Sequence, residues 1–306
     1  MKQSHISIFI VLFLFLGCET VVDITIPVEN PQLVINSTLI DDETIKVNLT
    51  ESHHILKSGK YQGVIGATVD IYENDQLLTT LPDSSGGNYI SAQFKAQKGK
   101  KYTVEVAKAG YNTARADVVL PFDTARVLNV QTDTITFDDF GYTATYARFK
   151  VELDDDPKTD NYYAISIYRG GYVERYDWTV NPPEYIDSVY SYTKVYIQTE
   201  DPNFEEYQSF GEEILFNDEL FNGSSYQINL LTQTSWYNPD HTPDDSFTYF
   251  ISLANTSESY YLYGLSSKLQ YWTSDNPFAQ PVTVYNNIEN GFGVFGAYNT
   301  AVYKVE

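Results

Sequence analysis

The sequence predicts an all-β protein: two β-sandwich-like domains in tandem, the second larger, with long loops and one helix at about 257–272. Three observations predict this. Short segments alternate apolar and polar residues, as in Ile45, Val47 and Leu49 against Lys46, Asn48 and Thr50. That is the period-two pattern of a strand with one dry face. Turn residues recur at short intervals between such segments. The 306 residues include 27 tyrosines and are 42% hydrophobic, which is too apolar for a disordered chain and rich in a residue type that strands favour.

The first stretch is not a strand. Met1, Lys2 and Gln3 precede an apolar run from Ile6 to Leu16, then Gly17 and Cys18. A charged start, a short apolar core and a small residue before a cut site form a secretory signal. The run falls short of the roughly 20 residues that a spanning helix needs. Cys18 is the only cysteine. The pattern resembles a bacterial lipoprotein signal, which implies a signal peptide over 1–17, lipidation of Cys18 and a spacer over 18–24. The alternatives are an uncleaved signal anchor, or a free cysteine left by a signal cut elsewhere.

Residues 25–120 then hold short strands in close succession: 31–40, 45–51, 66–72, 77–81, 102–107 and 113–120. Asn74-Asp75 makes a turn, and residues 83–88 form a dense turn cluster. Gly66-Ala67-Thr68-Val69-Asp70-Ile71, Gly86-Gly87-Asn88-Tyr89 and the run from Tyr102 to Tyr111 resemble the carboxypeptidase regulatory-like, transthyretin-like sandwich. That resemblance implies a spacer or docking platform.

Pro121-Phe122-Asp123 marks the expected boundary, and the second domain takes 121–306. Its strands are expected at 127–137, 142–153, 162–168, 192–199, 226–231, 247–253 and 301–305. Leu262, Leu265, Leu269 and Trp272 recur at spacings of three and four, which is a helical stripe. Thr256 or Ser257 caps its start and Asn276-Pro277 ends it. The segment 175–213 is acidic and aromatic, with Tyr176, Trp178, Tyr185, Tyr190, Tyr192, Tyr196 and Tyr207. It reads as long loops and hairpins projecting from the sandwich.

The formal net charge is −22. Nucleic-acid binding is driven by Lys and Arg neutralising phosphates, so this chain is not expected to bind nucleic acid. A single cysteine excludes intrachain disulfides by counting. Gly291 to Gly296 matches G-x-G-x-x-G, but no helix or acidic residue about 20 positions on can follow it, so the glycines serve a turn or bulge. Asp154, Asp155, Asp156 and Asp160 invite calcium, yet Thr159 stands where an EF-hand loop needs glycine. A solvated turn is the plainer account. His53 and His54 are strand neighbours that point apart. No His-Glu-x-x-His and no Gly-x-Ser-x-Gly occurs. The sequence therefore predicts a non-enzyme without cofactor or metal. The seven aromatic residues of 175–213 are the expected contact set, because exposed Tyr and Trp anchor protein interfaces and stack on sugars. Cross-strand pairing on a half-wet sheet is the competing account.

Several phrases carry a wider resemblance: Pro31-Gln-Leu-Val-Ile-Asn36, Asp155-Asp-Pro157 with Asn161-Tyr-Tyr163, Phe216-Asn-Asp-Glu-Leu-Phe-Asn-Gly223, and the long phrase from Asn276 to Gly296. Together they resemble the Bacteroidota lipoproteins of domain-of-unknown-function family 4249. The resemblance implies an outer-membrane lipoprotein, held by lipid on Cys18 and facing the cell surface more than the periplasm. It implies a β-barrel partner, a TonB-dependent, SusC-like transporter or a related machine, that the protein serves as a structural or substrate-capture subunit. The alternatives are a stand-alone glycan- or peptide-binding lipoprotein and a surface hydrolase.

Overall fold

The computed structural model describes residues 30–54, 61–123, 125–139, 142–157, 159–235, 247–276 and 278–305. The signal segment, Cys18 and its spacer lie outside the described residues. Residues 31–306 form one compact unit. Its first strands are β1 (Leu33–Ile40), β2 (Thr44–Glu51), β3 (Thr68–Glu73), β4 (Gln76–Thr80), β5 (Asp83–Ser85), β6 (Asn88–Lys95), β7 (Lys101–Ala107) and β8 (Ala114–Val119). Then come β9 (Ala125–Asp139), β10 (Tyr142–Asp155), β11 (Tyr162–Asp177), β12 (Glu184–Lys194), β13 (Ile197–Thr199), β14 (Phe210–Gly211), β15 (Ile214–Asn217), β16 (Tyr226–Ser235) and β17 (Thr248–Thr256). Helix α1 (Glu258–Thr273) and strand β18 (Phe292–Lys304) complete the order.

The strands make three sheets. A nine-stranded sheet runs β12-β11-β17-β18-β1-β2-β6-β5, with β15 pairing β11 off this path. A four-stranded sheet, β4-β3-β7-β8, and a five-stranded sheet, β14-β13-β16-β10-β9, complete the set. The all-β expectation therefore holds, with α1 as the one α-helix among the described residues. The alternation that predicts β2 works as expected: Ile45, Val47 and Leu49 are at most 1% exposed. Each such side chain contributes about 1.5–3 kcal/mol by leaving water.

Two cores form on one face of the large sheet. Leu33, Ile35 and Leu39 of β1 and Phe295 and Ala297 of β18 pack with Val104 and Val106 of β7. Tyr163, Ile165 and Ile167 of β11 and Ile251 and Leu253 of β17 pack with Phe149 of β10 and Leu230 of β16. The pairings Ser37↔Phe295 and Leu253↔Ala301 put both sets at odd positions of β18, hence on the same side. Leu120 belongs to the first core and Ala125 to the second, so Pro121–Asp123 separates two cores. The nine-stranded sheet continues across that division through the parallel β1–β18 pair.

Helix α1 packs on the opposite face, against Ala164, Leu215 and Ala254. Ser257 caps it, its hydroxyl accepting from the Tyr260 amide at 3.2 Å. Ser259 and Tyr261 are its buried residues, with Leu262 and Leu265 half-buried beside them. Trp272, at the end of the expected stripe, is instead 46% exposed. The glycines of 291–296 serve the sheet, as expected. Gly293 has φ +109° and lies so close to β1 that a Cβ would stand 2.1 Å from the Ile35 carbonyl oxygen.

Candidate interaction surface

The expected contact residues gather on one projecting hairpin. The strand expected at 162–168 runs on to Asp177. Its pairing with β17 ends at Gly170↔Thr248. Beyond that point, among the described residues, β11 pairs with β12 alone, from Gly171↔Ser191 to Asp177↔Glu184. The result is a two-stranded arm. A two-stranded hairpin is at best marginal in water, so its own side chains must hold it.

They do so as an aromatic ladder. Tyr172 faces Tyr190 across the strands, with ring centroids 5.2 Å apart at 86°. Tyr190 meets Tyr192 at 5.4 Å, and Tyr192 meets Phe250 of β17 at 5.2 Å. Farther out, Tyr176 touches Tyr185 at 5.8 Å and Trp178 at 6.1 Å. Edge-to-face pairs of this kind add roughly 0.5–1.5 kcal/mol each beyond burial. A bulge between Arg175 and Tyr176 places Ile186 as an extra residue on β12. Without it the strand period of two would send Tyr185 to the other face. The ladder sits at even positions of β11, as do Tyr162 and Ala164 under the helix, so it extends the helix-bearing face of the sheet.

The opposite face of the arm is mixed, with Val173 paired to Val189 beside a charged pair. Arg175 makes a forked pair with Asp187 at 2.6 and 2.5 Å, and that pairing holds the Asp187 carboxyl below the usual carboxylate range. Arg169 lies 4.2 Å above the Phe247 ring, a cation–π contact. Glu174, Asp177, Glu184 and Asp187 outnumber Arg175 along the arm, so its local charge is negative.

Five expected residues, Tyr176, Trp178, Tyr185, Tyr190 and Tyr192, lie on the arm. Trp178 is the most exposed of them at 77%. Tyr196 stands apart: it stacks on Phe210, which meets Trp272. Tyr207 is half-buried on the 3-10 turn Glu206–Gln208, and burial raises its phenol pKa. Sequence reasoning missed Tyr172, exposed and paired with Tyr190, and the apolar Val173, Ile186 and Val189, all exposed on the same hairpin. The spacing of Tyr172 and Tyr176, matched by Tyr190 and Tyr192, is the signal that could have found the ladder.

The acidic turn at 154–160 is built differently from a cation loop. Asp154 turns outward to Arg126 at 2.9 Å. Asp155 turns inward, accepting from the Tyr163 hydroxyl and, at 2.8 Å, from the Gly223 amide. Asp218 accepts from the Asn161 amide at 2.9 Å, and burial, then the nearby Asp155 charge, raises its pKa. Among the described residues no group of three or more His, Cys, Asp or Glu is placed to hold a metal. His241 lies outside the described residues.

A family model described as "Domain of unknown function (DUF4249)" matches residues 19–304. The chain belongs to the DUF4249 family. The DUF4249 match takes in both cores, the shared sheet, α1 and the arm, so the hairpin lies inside the family domain. No curated protein matches the chain.

Proposed function

We propose that this DUF4249 protein is a non-enzymatic lipoprotein, held in the outer membrane by lipid on Cys18, whose arm docks a protein partner. The partner class is an outer-membrane β-barrel of the TonB-dependent, SusC-like kind or a related machine, which the protein serves as a structural or substrate-capture subunit. One observation carries the docking: β12 is an edge strand of 11 residues that includes Tyr185, Ile186, Val189, Tyr190 and Tyr192, all exposed. A long, apolar, unpaired edge is a template for another chain. Its Tyr and Trp rings are the residue types that dominate binding energy at protein interfaces. Mature lipidation adds more than one acyl chain, enough for firm anchoring where a single chain holds marginally.

The experiment is photo-crosslinking in native membranes from a benzophenone side chain at position 178. A single discrete adduct of barrel mass supports docking. Absence of any protein adduct from positions 178 and 185 refutes it and favours the stand-alone glycan- or peptide-binding lipoprotein. Cys18→Ser should move the protein out of the membrane fraction, and retention there would end the tether reading.

A further inference from the structure

A cleft of about 480 Å³ opens between the two cores and shares no residue with the arm. Its walls are the end of β8, the linker at Phe122, the β10–β11 turn, the first turn of α1 and Tyr285. We propose that this cleft binds a neutral pyranose sugar, with the Phe122 ring as its stacking platform and Glu258, Tyr162 and Tyr285 as its hydroxyl partners.

The platform is built in advance. Phe122 is 65% exposed, yet its ring lies against Gly99, where a Cβ would stand 2.0 Å from it. The tip of the ring thus abuts a glycine while the side chain stays largely open. The linker carrying it is strapped at both ends. Asn299 Nδ2 donates to the Pro121 carbonyl at 2.5 Å, and the Ala125 amide donates to Asn255 Oδ1 at 3.1 Å. Lys98 bridges to Asp123 at 2.9 Å and to Asp41 at 3.6 Å. An exposed aromatic ring on a held backbone offers an apolar face to the C–H side of a sugar at reduced ordering cost.

The polar groups suit a neutral hydroxylated ligand. Burial raises the phenol pKa of Tyr162 and of Tyr285, and Glu258 raises both further, which puts two protonated hydroxyls beside one carboxylate. Asp160 and Asp117 add two further exposed carboxylates to the wall, and Asp117 is paired with Lys101 at 3.2 Å. Neither Asp160 nor Glu258 is in an ion pair among the described residues, so an anion would be repelled. The first amides of α1 have no carbonyl partner within the helix, and the helix's positive end offsets the acids in part. Donors and acceptors are therefore both present, and the wall stays negative, which favours a neutral ligand over an anion. Thr256, also in the wall, carries a buried hydroxyl with no hydrogen-bond partner among the described residues. The volume falls within the range of small-molecule sites, about 300–1,000 Å³.

The test is saturation-transfer NMR on the full lipidated chain in a non-glycoside detergent, with glucose, galactose, mannose and cellobiose as probes and glucuronate as the anionic control. At least one neutral sugar should receive saturation, strongest on one C–H face, and glucuronate should receive none. Phe122→Ala, at an exposed position, and Glu258→Gln should each weaken binding about tenfold, or 1.4 kcal/mol, while leaving the far-UV circular dichroism spectrum and the crosslink from position 178 unchanged. The proposal is overturned if none of the four sugars is saturated, if glucuronate binds equally, or if both variants bind as wild type does. Loss of the position-178 crosslink with sugar binding intact would sink the docking reading alone.

Discussion

Replacing Gly293 with alanine tests how the two halves of the large sheet are joined. The parallel β1–β18 register, from Val34↔Phe292 to Ile40↔Tyr298, is the link between β2-β6-β5 and β12-β11-β17. Gly293 sits in that register opposite Ile35, with φ +109°, and a Cβ there would approach the Ile35 carbonyl oxygen to 2.1 Å and its carbon to 2.9 Å. Those are backbone atoms, so no rotamer change relieves the collision. Gly86 supplies the control: its φ is +57°, but among the described residues nothing lies within 4 Å of its Cβ position. Gly86→Ala therefore pays only left-handed strain, about 1–2 kcal/mol. Gly293→Ala pays strain and collision and should cost about 4 kcal/mol or more, the range kept for such named defects. Urea unfolding of the acyl-free chain, followed by far-UV circular dichroism and by Trp fluorescence, measures both. Equal costs for the two variants would refute the close approach, and so would a Gly293→Ala cost within about 1 kcal/mol of zero.

Three further outcomes follow from the same geometry. Phe149 is 1% exposed and packs edge-on against Tyr249, so Phe149→Ala should cost about 3–5 kcal/mol in the same urea assay. Asp218→Ala strands the buried Asn161 amide and should cost about 1–3 kcal/mol, whereas Asp218→Asn keeps an acceptor there and should cost less. Burial raises the Asp218 pKa above its usual 3.8, so the native state holds that proton more tightly than the unfolded chain. The stabilisation this gives is complete below 3.8 and is lost as pH rises through the raised native value. Asp218→Asn, which cannot titrate, should thus gain on wild type as the pH is taken from 4 to 7, and a constant difference would contradict the assignment.

How much of this could be read in advance varied with the residue. Strand β2 was legible because its Ile45, Val47 and Leu49 alternate with frankly polar neighbours. Helix α1 was legible from its leucine spacing and its Ser257 cap. The arm was legible as a projecting aromatic hairpin but not in its strand bounds or its ladder, because tyrosine is apolar along its ring and polar at its tip, so a Tyr ladder reads as neither face of a strand. Gly170-Gly171 also looks like a stop. In the structure those glycines clear room for neighbouring rings: a Cβ at Gly170 would meet the Tyr190 hydroxyl at 2.6 Å, and one at Gly171 would meet Phe247 at 2.5 Å. Strand β6 hid behind the turn cluster because its buried positions are Tyr89 and Ser91, a weak alternation. The β1–β18 pair joins the two ends of the domain, and no local pattern announces a parallel pair so distant in sequence.

The central claim, that the arm docks a membrane partner, is met most directly by purifying the lipidated protein from its native membrane in mild detergent and reading the eluate by mass spectrometry, beside a Tyr172→Ser, Tyr190→Ser double variant. The account predicts a stoichiometric β-barrel with the wild-type chain and its loss with the variant at unchanged membrane retention. A wild-type protein that elutes alone, or a variant that keeps the barrel, would contradict it.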